Sequence, residues 1–257
     1  MTVPPDAVSL AERIDAALRA RSVPERAVGE KAYLKSSLEH YGTSVPATRA
    51  AVREALAGRR LDHDALVAVA VALWDVPVHE RRAAALELLE THRGVLGVAD
   101  AGLLERLLRE SRTWALVDGL AASVVGPLTE IGTGWEEWLD RWASDPDFWL
   151  RRSALLAHLV PLRTGGGDWG RFTRYAEAML DETEFFIRKA IGWVLRDTAR
   201  SRPDLVFAWL LPRATRVSGV TVREAVKALL PEQREAVLAD RHDRRAGHRR
   251  DGAGTPR

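Results

Sequence analysis

The run Leu103-Leu104-Glu105-Arg106-Leu107-Leu108 decides the fold class. Its leucines recur at three- and four-residue steps, which places them on one stripe of an α-helix. The same step continues along nearly the whole chain, in a composition dominated by Ala, Leu, Glu and Arg. Alternating stretches bounded by hairpin turns are absent, so no sheet is expected. About a dozen helices are predicted, over 6–21, 24–41, 46–57, 62–74, 77–91, 100–111, 114–126, 134–143, 147–162, 168–181, 184–200, 203–211 and 218–229. Pro24, Pro46, Pro77 and Pro146 each follow a stop and open an amphipathic run, where a first helical turn tolerates a missing N–H. Gly165, Gly166 and Gly167 make one flexible loop.

Marker residues repeat. Tyr33, Trp74, Trp114, Arg152 and Trp193 are separated by 41, 40, 38 and 41 residues. A helical pair recurring at about 40 residues is the signature of a HEAT-type solenoid. The expected fold is therefore all-α, a HEAT-like repeat solenoid whose stacked pairs leave a concave inner surface. Large residues at repeat spacing either line such a groove or pack the core, and Trp74 and Trp149 are read as core. One solenoid domain is expected over 1–239. After about Leu238 the chain is rich in Arg, Gly and His with little to bury, so 240–257 is expected to be a disordered basic tail.

The chain has 257 residues, 46% of them hydrophobic, with nine tryptophans and no cysteine. That is ample for a core, and it excludes disulfides, thiolate zinc sites and cysteine nucleophiles. Met1 to Asp6 lacks the basic and apolar regions of a secretory leader, and no stretch approaches 18 uninterrupted apolar residues. A cytoplasmic protein without a membrane span is the expectation. Net charge is +2, unevenly spread: residues 1–140 carry −5 and residues 141–216 carry +4. Such asymmetry can mark different partners for the two halves, or only an uneven solvated surface.

Several signatures fail. His79-Glu80 begins an HExxH motif, but position 83 is Ala. The Gly165 loop is not followed by Lys-Ser/Thr, and no Gly-x-Ser-x-Gly elbow exists. No metal and no cofactor are expected. Three other stretches stand out. In Thr113-Trp114-Ala115-Leu116-Val117-Asp118, an indole and a carboxylate four residues apart share one helix face. Asp147-Phe148-Trp149-Leu150-Arg151-Arg152 opens a helix with two arginines. The run from Glu184 through Phe185-Phe186-Ile187-Arg188-Lys189-Ala190-Ile191-Gly192-Trp193-Val194-Leu195-Arg196 sets Trp193 between Lys189 and Arg196.

Together with Ala32-Tyr33-Leu34-Lys35 and Tyr41-Gly42-Thr43-Ser44-Val45-Pro46-Ala47-Thr48-Arg49, these stretches resemble the AlkD family of DNA alkylation repair proteins. Its members are HEAT-like-repeat glycosylases of 3-methyladenine and 7-methylguanine. The resemblance runs from about residue 25 to 230, in the same order and spacing. One position departs from it: where family members often carry a Trp-Trp pair, the first is Thr113, which bears more on lesion fit than on activity.

The resemblance implies that Trp114, Asp118 and Trp193 surround the lesioned nucleotide as the catalytic set and that Arg152 holds the backbone. Arg151 is a local rival for that phosphate. Tyr33, Lys35, Arg49, Lys189 and Arg196 are further candidate DNA contacts, each equally explained as core or solvated surface. The implied reaction is hydrolysis of the N-glycosidic bond of a cationic N3- or N7-alkylated purine in duplex DNA, by a monomer. A variant reading is self-resistance against a bulky DNA-alkylating product; the ratio of 34 Arg to 4 Lys fits a GC-rich source without deciding it. The alternative from another class is a non-catalytic binder of damaged or branched DNA or of a protein partner. The presence of Asp118 argues against it.

Overall fold

The computed structural model describes residues 5–251, and among them it is all-α. The helices are α1 (Pro5–Arg19), α2 (Pro24–Leu34), α3 (Val45–Leu56), α4 (His63–Trp74), α5 (His79–Thr91), α6 (Ala101–Ser111), α7 (Trp114–Asp118), α8 (Gly126–Ile131), α9 (Trp135–Ala143), α10 (Phe148–Leu156), α11 (Leu159–Arg163), α12 (Trp169–Ala178), α13 (Phe185–Ala199), α14 (Pro203–Leu210), α15 (Gly219–Ala225) and α16 (Pro231–Asp251). One isolated parallel bridge joins Glu39 and Val78.

Local chemistry accounts for most boundaries. The Ser44, Asp62, Asp147, Asp168 and Ser218 side chains accept backbone N–H groups that their helices leave unpaired. Pro24 and Pro46 sit in first turns as expected, whereas Pro77 and Pro146 stand two residues before α5 and α10. The helix predicted over 24–41 stops at Leu34. Lys35 turns left-handed at φ 49°, and Ser36 N–H closes the end on Lys31 O.

The chain forms two compact units, Met1–Trp138 and Leu139–Arg257. In the first, α1 packs on α3 and α4, and α4 packs on α5. Its core holds Ile14, Leu18, Leu66, Leu73, Trp74, Leu88 and Leu104, all fully buried. In the second, α13 is the hub, covered by α10, α11, α14 and α15. Trp74 and Trp149 are both buried, as expected of core tryptophans. The repeat markers do not form one exposed row, because Trp74 and Arg152 are buried while Tyr33 is exposed.

One finding differs from the sequence reading. From Trp114 to Ile131 the chain is one helical run, with a π-helical stretch at Gly119–Val125 between α7 and α8. Its 18 residues are long and apolar enough to cross a bilayer by length and composition. Half of the run is buried within the protein, with Val117, Leu120, Ala121, Val124 and Val125 completely so. Core packing accounts for the apolar composition of that face. The run was invisible to a search for uninterrupted apolar residues because Asp118, Ser123 and Thr129 interrupt it.

Residues 240–251 continue α16, and 252–257 lie outside the described residues. Arg241 is buried, and its guanidinium donates to Val217 O at 2.7 Å and to Ala214 O. Val237 is fully buried, and Gln233 Nε2 donates to Asp204 Oδ1 at 2.6 Å. Composition alone did not reveal that an arginine anchors this helix.

Candidate functional site

The first unit holds the carboxylate and one indole. Arg112 ends α6 in the left-handed region, and Thr113 is extended, so the chain turns and restarts as α7 at Trp114. Thr113 is buried at this corner. Its carbonyl accepts the Leu116 and Val117 N–H groups that open α7. Trp114 and Asp118, one helical turn apart, are both partly exposed, while Leu116 and Val117 between them are buried. Buried neighbours fix the helix and turn the Trp–Asp face toward solvent. The next residue is Gly119, where a Cβ would lie 2.5 Å from Leu86 Cδ2. Its absence lets this run lie close on α5.

Tyr33 meets Trp114 edge-on, with ring centroids 6.0 Å apart at 89°. The two aromatics border a cavity of about 370 Å³ whose wall also includes Arg49, His79, Leu86 and Glu87. Arg49 Nε reaches Glu87 at 3.1 Å on an exposed flank. Lys35 is exposed at the end of α2.

The second unit holds the remaining candidates. Trp193 is partly exposed on α13, between buried Gly192 and Val194. Gly192 is required by close approach: a Cβ would lie 2.9 Å from Thr221 O and 2.8 Å from Glu224 Cβ. This explains the glycine beside Trp193, which the sequence motif displayed without a reason.

The arginines differ sharply. Arg151 forks onto Glu182 at 2.7 and 2.8 Å and donates to the Asp145 and Pro146 carbonyls. Its guanidinium is a clamp between α10 and the turn after α12, so a phosphate contact would compete with that fork. Arg152 is only 1% exposed; it donates to Phe186 O and lies 5.7 Å over the Phe186 ring. Arg196 pairs with Glu224 and with Asp197 at 3.3 Å. Lys189 is exposed, with its ammonium 5.9 Å over the Phe185 ring.

The sequence matches the family model for the DNA alkylation repair enzyme over residues 14–229. The chain belongs to that family. No curated protein matches the sequence. Among solved structures, a predicted DNA alkylation repair enzyme from Enterococcus faecalis shares 21% identity and superposes with a TM-score of 0.73. The match covers 82% of this chain and 98% of that one, and it shows a common fold. Membership of the DNA alkylation repair family makes DNA the macromolecule on which this repair enzyme acts.

Proposed function

We propose that this DNA alkylation repair family member is a monofunctional DNA glycosylase that releases cationic N3- and N7-alkylated purines from duplex DNA. The observation carrying this reading is the partly exposed Trp114–Asp118 face, with Tyr33 edge-on against the indole.

The chemistry follows from the charge of the lesion. An N3- or N7-alkylpurine is already cationic, so the base departs as a neutral leaving group without being protonated. The sugar develops oxocarbenium character, the problem shared with glycoside hydrolysis. A carboxylate at Asp118 stabilises that cation and orients or deprotonates the water that adds at the anomeric carbon. The electron-rich face of Trp114 packs on the deoxyribose and favours positive charge there. Trp193 is proposed as a second indole of the reaction. Arg152 is proposed as a backbone contact, a role in which it must turn from Phe186 O to a phosphate. No pocket need enclose the modified base, so bulky adducts remain within reach, and the setting proposed is a cytoplasmic monomer on the nucleoid.

The test is base release from DNA carrying N3-methyl, N7-methyl and bulky purine adducts. The wild type should release at least one class, and Asp118→Asn should lose about 100-fold or more in rate. DNA binding without release of any base would instead identify a non-catalytic binder.

A further inference from the structure

At the cavity wall, to which Glu30 and His79 belong, four titratable side chains converge where α2, the loop after it and α5 meet. The loop is pinned by backbone contacts: Glu39 N–H donates to Pro77 O at 3.0 Å, and His79 N–H donates to Glu39 O at 2.9 Å. Glu80, 1% exposed, accepts from Tyr41 N–H at 2.9 Å and Gly42 N–H at 2.6 Å. Gly42 has φ +79°, and a Cβ there would lie 2.1 Å from Val23 O. This scaffold stacks the His40 ring on the His79 ring, with centroids 4.6 Å apart and planes within 7°.

The polar atoms at this junction are poorly satisfied. Glu30 Oε2, both ring nitrogens of His40 and Nδ1 of His79 are buried without a hydrogen-bond partner. His79 is itself nine-tenths buried. Buried polar atoms normally find partners, and a cluster that does not calls for an occupant. Glu30, His40 and Glu80 each bring one ligand atom to within 4.8 Å of the others.

We propose that Glu30, His40 and Glu80 form a binding site for a divalent transition-metal ion. One imidazole and two carboxylates are a donor set that zinc accepts, with bonds of about 2.0–2.2 Å. Two carboxylates with a neutral imidazole also balance a dipositive ion in a buried setting. The two backbone N–H bonds on Glu80 are the supporting shell that orients a ligating carboxylate. Glu30 is the adaptable member, with Oε1 3.3 Å from Arg26 and Oε2 directed inward.

The ion is structural. It ties α2 to α5 through the intervening loop, and Tyr33 lies three residues beyond Glu30 on the same side of α2. Binding therefore fixes the helix that presents Tyr33 to Trp114. The site stands on these residues alone and is independent of the reaction proposed for Asp118.

The experiment uses the full chain stripped with a chelator and then titrated with Zn2+, or with Co2+ as an optical probe. One equivalent should bind, Co2+ should develop ligand-field bands, and hundredfold excess over Kd should raise Tm by about 5–10 °C. His40→Ala and Glu30→Gln should remove these responses, and both should fold because neither side chain carries the backbone bonds that Glu80 does. His63→Asn should leave them intact; His63 sits between Asp64 at 2.9 Å and Asp100 at 2.8 Å and is the rival site. No saturable binding, or binding that survives His40→Ala and Glu30→Gln, overturns the proposal.

Discussion

Four residues advance an α-helix slightly more than one turn, so Trp114 and Asp118 were bound to share a face once α7 formed. Whether that face met solvent was a tertiary matter, settled by the burial of Leu116 and Val117 beneath it. Tyr33 is 73% exposed, and its ring meets Trp114 edge-on. Tyr33→Ala should therefore lower base release while leaving Tm within about 1–2 °C, because exposed side chains contribute little to stability. Paired activity and thermal-melt measurements check this; a large loss of Tm would make Tyr33 a structural staple.

His158 gives a different residue-scale prediction. It packs between Phe172 and Tyr175, and burial pushes its pKa down to about 4. The unfolded chain binds this proton at ordinary histidine pKa while the fold resists it, so the histidine favours the fold less as pH falls below about 6.5. Between pH 7.5 and pH 5 the loss should be about 2 kcal/mol. Urea unfolding at both pH values, in the wild type and His158→Leu, reads it directly. The variant should show the smaller acid loss, and an equal loss would discharge His158 from the effect.

Among the elements, α13 is held at close approach to its neighbour. Gly192 presses it onto α15, so Gly192→Ala must push against backbone at Thr221 as well as Glu224 Cβ. The expected cost is about 1–3 kcal/mol, read as a lower denaturation midpoint with base release falling in parallel as α13 shifts. An unchanged midpoint would mean that α13 and α15 separate freely. Helix α16 makes the complementary case. Arg241 satisfies carbonyls at Ala214 and Val217, and Arg241→Ala should destabilise by about 1–3 kcal/mol because those buried acceptors lose a charged donor. Chemical denaturation checks it. A truncation after Leu238 therefore removes an anchor as well as basic charge, and DNA-binding changes in such a truncation have to be separated from loss of fold.

Across the whole molecule, charge is the property that composition described least well. Residues 141–216 carry a net +4, yet Arg151, Arg196, Arg213 and Arg216 are engaged by Glu182, Glu224, Glu177 and Asp181. Lys189 stands exposed beside Phe185. Lys189→Ala should reduce the slope of log K against log salt for DNA binding by about 1. Arg151→Ala should leave that slope unchanged and lower Tm. Reversed outcomes would exchange the two roles.

The helices and the Trp114–Asp118 face were legible from the sequence because each depends on residues within a few turns of one another, and the family membership because its blocks keep their order and spacing along the chain. The length of the Trp114–Ile131 run was not, since polar residues break its apolar pattern while its buried face stays continuous. The fates of the arginines and the His40–His79 stack were likewise hidden. Arg151 meets Glu182 across 31 residues and Arg196 meets Glu224 across 28, separations that no local spacing encodes. His79-Glu80 fails as an HExxH motif, yet the Glu39–Val78 bridge brings His40 to it and α2 supplies Glu30. Local periodicity sets which residues share a helix face. Only packing between distant segments decides which of those faces is buried, which charges are neutralised and which polar groups are left to meet one another.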